Sequence, residues 1–201
     1  MILRERRPLD MNQMANAGDG ERQHWNDAVG KAGEWSVAFV LDQQYKDNAR
    51  IHVLHDVMLE SAGQRCQIDH LIVTPDGPIV VETKNWDGVV IRDAKDAWAL
   101  VTLRGKVVHV RSPSEQARRS ATILGNLLAA NGIDAIVRMA IVLGISAIPQ
   151  LTPCETSPGV VPYSAINQWM KDVDEGTYAI GSRRKPMDSL LTSWLIVDAI
   201  I

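Results

Sequence analysis

One stretch of the chain, Gln67-Ile-Asp-His-Leu-Ile-Val-Thr-Pro-Asp-Gly-Pro-Ile-Val-Val-Glu-Thr-Lys84, carries two carboxylates and a lysine at a spacing that could do chemistry. Asp76-Gly77 at its centre is a favoured pair for a two-residue hairpin turn. With those two residues as the loop, Pro75 faces Pro78, Leu71 faces Glu82 and Asp69 faces Lys84. Side chains alternate between the faces of a strand. Gln67, Asp69, Glu82 and Lys84 therefore project from one face, with Asp69 and Glu82 as diagonal neighbours within reach of one ligand. A loop one residue longer would turn Asp69 to the opposite face.

Val73 and Val80 share that face, which sets the charges among apolar neighbours. Two carboxylates about 4 Å apart repel by roughly 4 kcal/mol at an effective dielectric of about 20. Either one of them takes up a proton or a cation sits between them. A hard ion such as Mg2+ is held by one or two carboxylates together with water and phosphate oxygens. In that position it would activate a water and neutralise the charge developing on a cleaved phosphodiester. Lys84 would orient or deprotonate the water, or stabilise the phosphate, and Gln67 is placed to steer either one. The same spacing also fits an ordinary surface hairpin with an Asp69–Lys84 cross-strand pair.

The elements that must position these residues follow from periodicity. Residues 1–21 are polar, without steady periodicity, and read as a loose arm. From Glu21 to Tyr45 apolar residues recur at helical spacing on two faces, one through Trp25, Val29, Ala32, Ser36, Phe39 and Val40, the other through Val37, Ala38, Leu41 and Tyr45. A helix apolar on two sides is expected to be wedged inside the fold, with Gly30 and Gly33 as places where it can break. Ile51–Met58, Gln67–Thr74 and Pro78–Lys84 read as strands, and Trp98–Leu103 with Lys106–Val110 as a hairpin around Arg104-Gly105. Pro113–Asn131 reads as a helix with Pro113 in its first turn and Gly132 as its C-terminal cap. Ala135–Ile145 is an apolar run suited to a strand buried on both faces. After the Pro-rich stretch Pro149–Pro162 come two shorter helical patterns, Ser164–Val173 and Met187–Ile201. The order is that of an α/β sandwich with an appendage.

Taken together, Gly33-Glu34 on a helix, Gln67-Ile-Asp69-His70, Glu82-Thr83-Lys84-Asn85 with Gly88 after the strand, and Ser112-Pro113 with Gln116 resemble the nuclease-related domain (NERD) family of the PD-(D/E)XK nuclease superfamily. The resemblance runs from about Gly30 to Leu128. It implies a restriction-endonuclease-like core of helix, three- to four-stranded mixed sheet, helix and strand over residues 22–148, followed by a short helical appendage at 149–201. It further implies a nuclease that hydrolyses DNA with Mg2+, or with Mn2+ in its place, RNA remaining open as a substrate. Asp69 and Glu82, with the backbone carbonyl of Thr83, match the metal ligands, and Lys84 matches the catalytic lysine. Glu34 matches the acidic residue of the first helix, which also suits the dipole of a helix start, and Gln116 the glutamine of the second helix. A module of this fold that binds nucleic acid or a partner without cutting is the alternative. The filled motif positions speak against it and the acidic net charge for it.

Other residues carry weaker signals. His70 points away from Asp69 and reads as a packed core histidine. His52 and His55 face opposite ways and do not form a chelating pair. Trp86 is placed either to stack on a base or to cap the sheet. Arg118-Arg119 and Arg183-Arg184-Lys185 are local basic patches for a phosphate backbone. The whole chain of 201 residues has 21 Lys and Arg against 24 Asp and Glu, a net charge of −3, so no global basic field draws it to nucleic acid. With 46% hydrophobic and 22% charged residues it is neither disordered nor fibrous. Two distant cysteines, Cys66 and Cys154, fit a reducing compartment. No apolar run reaches the roughly 18 residues of a membrane span. No signal peptide is evident, and the expected location is cytoplasmic. The apolar end, from Trp194 to Ile201, is expected to pack on the domain or on a second copy, which would make a homodimer.

Overall fold

A computed structural model describes residues 19–177, 196, 197, 199 and 200, with side chains from residue 27 onward. Helix α1 (Asp19–Tyr45) leads into strands β1 (His52–Ser61), β2 (Gln64–Thr74), β3 (Gly77–Lys84), β4 (Gly88–Arg92), β5 (Trp98–Val101) and β6 (Val107–His109). Helix α2 (Pro113–Ala130), strands β7 (Arg138–Leu143), β8 (Ala147–Leu151) and β9 (Gly159–Pro162), a short 3-10 turn and helix α3 (Ile166–Asp174) follow. The central sheet has the order β1-β2-β3-β7-β9, antiparallel through β3 and parallel beyond it. A second sheet, β6-β5-β4-β8, packs Val90 and Trp98 against Ile141 and Leu143 of β7.

The central sheet is filled on both faces. Val37, Leu41 and Tyr45 of α1 and Met170 of α3 cover Ile72, Val81 and Val142. Ile123, Leu124 and Leu128 of α2 cover Leu71, Val73 and Val80. The Tyr45 hydroxyl donates to the Met170 carbonyl at 2.7 Å and ties α1 to α3. Ser112 caps α2, its Oγ accepting from Glu115 N–H, with Pro113 in the first turn and Gly132 past the end at φ +74°, as expected.

Four features differ from the sequence reading. Helix α1 runs unbroken through Gly30 and Gly33, because Gly33 is held by a tertiary contact described below. It is buried on one face only: Val37 is 1% exposed, whereas Phe39 on the other stripe is 65% exposed. The Pro-rich stretch contains β8 and β9, and β9 adds a fifth strand to the central sheet. At four residues ending in a proline, β9 is too short to show a period and sits at an edge, where a missing N–H is tolerated. Fourth, the β2–β3 turn is Thr74-Pro75-Asp76-Gly77, with Thr74 paired to Gly77. Proline fixes φ for the second position of a type I or II turn, so Pro75, rather than Asp76-Gly77, sets the loop. Thr74 Oγ1 accepts from Asp76 N–H and donates to the Gly77 carbonyl at 2.8 Å.

Candidate active site

The corrected turn moves the register by an even step, so face assignments survive and partners change. The ladder runs to His70↔Val81. Continued past that last pair, the same register would set Asp69 opposite Glu82 and Gln67 opposite Lys84. Where the next rung would come, Thr83 N–H donates to Asp69 Oδ2 at 2.8 Å. Lys84 Nζ donates to Glu82 Oε1 at 2.6 Å, in a pair whose side chains are 20% and 6% exposed. The N–H and C=O of a strand residue point to the same side. The Lys84 carbonyl accepts from Gly144 on the β7 side, so the Thr83 carbonyl points to the Asp69 side.

Burial and mutual repulsion govern the protons here. Burial, then the Asp69 charge, pushes the Glu82 carboxyl up to about 7 against the pull of Lys84. Burial also raises Asp69, offset by the Thr83 N–H bond and by Lys84. Glu34 on α1 is raised by burial and then by the charges of Asp69 and Asp56. Its field therefore reaches the strand residues from the helix.

Gly33 explains how α1 comes so close. A Cβ there would lie 2.3 Å from Asn85 Cβ, and a Cβ on Gly144 would lie 2.3 Å from Asn85 Oδ1. Asn85 Nδ2 donates to the Val29 carbonyl of α1 at 2.8 Å. Asn85, the residue after Lys84, is thus a wedge between α1 and the turn after β7, and it seats the turn of helix that bears Glu34.

Asp56 was absent from the sequence reading. It sits on β1 with φ +53°, opposite Asp69, at the one position where the β1–β2 ladder skips a pair. Its Oδ1 accepts from Gln67 Nε2 at 2.5 Å. The signal was available: counting back from the Ala62-Gly63 turn, whose left-handed residues (φ +50° and +72°) close the β1–β2 hairpin, sets Asp56 beside Asp69.

The remaining candidates lie elsewhere. His70 is buried, as expected, and its ring is pushed down to about 3 by burial and by His55, so it is neutral. Its Nδ1 meets His55 Nδ1 at 2.8 Å, and His55 Nε2 meets Asp42 Oδ1 at 2.9 Å. Trp86 is half-buried against Trp98, ring centroids 6.3 Å apart. Gln116 is half-buried on the first turn of α2, and no hydrogen bond joins it to Asp69, Glu82 or Lys84. Arg118 is engaged by Asp96 Oδ2, and Asp96 Oδ1 also accepts from Trp98 Nε1 and Ser114 Oγ. Exposed Arg119 donates to the Arg65 carbonyl at 3.2 Å. Arg183, Arg184 and Lys185 lie outside the described residues. Ile196 and Val197 of the apolar end are buried against this chain's own α2 cluster.

Among the described residues, no three His, Cys, Asp or Glu side chains converge as a metal cluster in this arrangement. The donors still fit a hard dication. Asp69 and Glu82 are opposed oxygen ligands with excess negative charge, and a backbone carbonyl faces them. Lys84 already supplies a positive charge to one of them.

An α/β sandwich whose central hairpin carries a buried and a half-buried carboxylate beside a lysine is a nuclease-like core. Residues 29–144, more than half of the chain, match the family model described as the nuclease-related domain, and the protein belongs to that family. Over 79 residues the chain is 38% identical to an uncharacterized protein of Bacillus anthracis. That match covers 38% of this chain and 36% of the relative, so the chain spans little more than a third of that protein. No solved structure matches. No helix among the described residues is long and apolar enough to cross a membrane.

Proposed function

We propose that this protein is a metal-dependent nuclease that hydrolyses phosphodiester bonds of DNA. The observation that carries this reading is half-buried Asp69 on the Thr83 backbone N–H, next to buried Glu82 with Lys84 on its carboxylate. Asp69, Glu82 and the Thr83 carbonyl would hold Mg2+ or Mn2+. Bound there, the ion supplies a lowered water pKa and charge neutralisation on the phosphoryl oxygens.

The chain's own groups do the rest. Lys84 holds a proton at Nζ beside the carboxylates, where it donates to a water or to a phosphate oxygen. Glu34, raised by burial and by its acidic neighbours, is suited to take a proton from the attacking water. Asp56 fixes Gln67 through its amide, which aims Gln67 along the same face. Exposed Arg119 is the better placed of the two α2 arginines to meet a phosphate, since Arg118 is engaged by Asp96.

Plasmid, linear duplex and single-stranded DNA, with RNA beside them, are incubated with Mg2+, with Mn2+ and with chelator. The expected result is metal-dependent cutting of DNA. Metal binding without cutting of any of these would overturn the reading.

A further inference from the structure

The second sheet ends in a hairpin whose surface the nuclease reading leaves unused. From Ala97 to Ser114 the sequence carries Arg104, Lys106 and Arg111 and no Asp or Glu, in a chain of net charge −3. Thr102–Gly105 is a closed turn, with Gly105 N–H bonded to the Thr102 carbonyl at 2.8 Å and Gly105 at φ +74°. Thr102 N–H donates to the Lys106 carbonyl at 2.9 Å. This ordered turn presents Leu103, 77% exposed, directly before Arg104, with exposed Val107 directly after Lys106. Among the described residues neither Arg104 nor Lys106 pairs with a carboxylate. Arg65, Arg92, Arg118 and Arg138, by contrast, are all engaged within the fold.

The base of the hairpin is tethered to the segment that follows β3. A Cβ on Gly88 (φ +130°) would lie 2.2 Å from the Val101 carbonyl oxygen, so the base of the tip is pressed onto the chain leaving β3. Gly88 is four residues beyond Lys84, a chain reach of at most about 14 Å. Asp87, on the segment that joins β3 to β4, lines an open groove of about 420 Å³ together with Thr102, Leu103, Arg104 and Lys106 of the tip.

We propose that the β5–β6 tip is a nucleic-acid clamp: Arg104 and Lys106 take backbone phosphates next to the scissile one, and Leu103 packs on a sugar or base. The inference rests on the nuclease reading for its substrate. Positive charge on an edge strand also guards a sheet against edge pairing, and that role alone predicts no effect on DNA.

The test measures binding of a short labelled DNA duplex to the full chain in Ca2+ over a range of salt concentrations, beside plasmid cutting in Mg2+. Melting curves check that the variants fold. For the double variant Arg104→Ala, Lys106→Ala the clamp predicts weaker binding and a slope of log affinity against log salt shallower by about 2. For Leu103→Ala it predicts weaker binding with the slope unchanged. A double variant with wild-type affinity and slope overturns the clamp, while wild-type cutting leaves the nuclease reading standing. A wild-type chain that binds but never cuts, with the shallower slope in the double variant, supports the clamp and sinks the nuclease reading.

Discussion

At the scale of single residues, the central feature is buried Glu82 with half-buried Asp69 as its charged neighbour, a pair whose protons depend on what neutralises them. Glu82 is pushed up to about 7 from an ordinary 4.5, mainly by burial and then by Asp69. A carboxyl whose folded pKa lies above its unfolded value binds its proton more tightly in the folded chain. Its contribution to stability is thus present below about 4.5 and is lost as pH rises through about 7. The metal-free protein is therefore predicted to lose melting temperature over that window, and Glu82→Gln to flatten the loss. Mg2+ needs the deprotonated carboxylates, so its affinity and its stabilising effect rise over the same window. Melting curves across pH, with and without Mg2+, check this, and a wild-type curve that is flat or rising without metal contradicts it. Asp69, Glu82 and Lys84 were legible because strand parity alone puts them on one face. Their partners were not, since Pro75 outranks the Asp-Gly signal in setting the turn and shifts the β2–β3 register by two residues. Asp56 escaped notice because a left-handed aspartate inside a strand has no periodic signature.

At the scale of elements, the site depends on how closely α1 can approach the end of β3. Gly33 reads in sequence as a helix breaker costing about 1 kcal/mol relative to alanine, yet the helix runs through it because Asn85 occupies the space a Cβ would need. Gly33→Ala is predicted to destabilise by about 1–3 kcal/mol through overpacking, despite the gain in helix propensity. It should also lower cleavage further than melting accounts for, because Glu34 rides on the displaced turn. Adding Asn85→Gly should restore most of the stability. A Gly33→Ala protein as stable and active as wild type would show that the wedge is not what seats α1. This role was invisible in the sequence because it joins residues 33, 85 and 144, which no local pattern links. The caps of α2 were legible by the opposite logic: Ser112, Pro113 and Gly132 act on neighbouring backbone groups.

At the scale of the whole molecule, the sheet is closed from both sides by segments far apart in sequence. Tyr45 bonds α3, β9 extends the sheet beyond β7, and Ile196 and Val197 enter the α2 cluster with Leu59, Ile68 and Leu71. The apolar C-terminal pattern announced burial, but its location required the three-dimensional arrangement. Ile196, fully buried, is predicted to cost about 2–5 kcal/mol when cut to alanine, with no change in light scattering. Unchanged stability with altered association would assign this face to contact with a second copy. The layer order of helix, strands, helix and strand was legible from periods of 3.6 and 2. The second sheet was only half legible, since β4 and β8 are five residues each and alternate in burial without alternating apolar and polar residue types.

The measurement that bears most directly on the site is a paired one on Lys84→Ala and Asp69→Asn, with metal binding by calorimetry and DNA cutting in Mg2+ followed on the same preparations. Lys84→Ala is predicted to bind Mg2+ at least as well as wild type, since it removes the cation that competes for Glu82. It should cut at least about a hundredfold more slowly, the usual loss when a group that stabilises the transition state is removed. Asp69→Asn is predicted to lose both properties. A Lys84→Ala protein that cuts at the wild-type rate, or an Asp69→Asn protein that keeps its metal and its activity, would contradict the assignment of this hairpin as the catalytic centre.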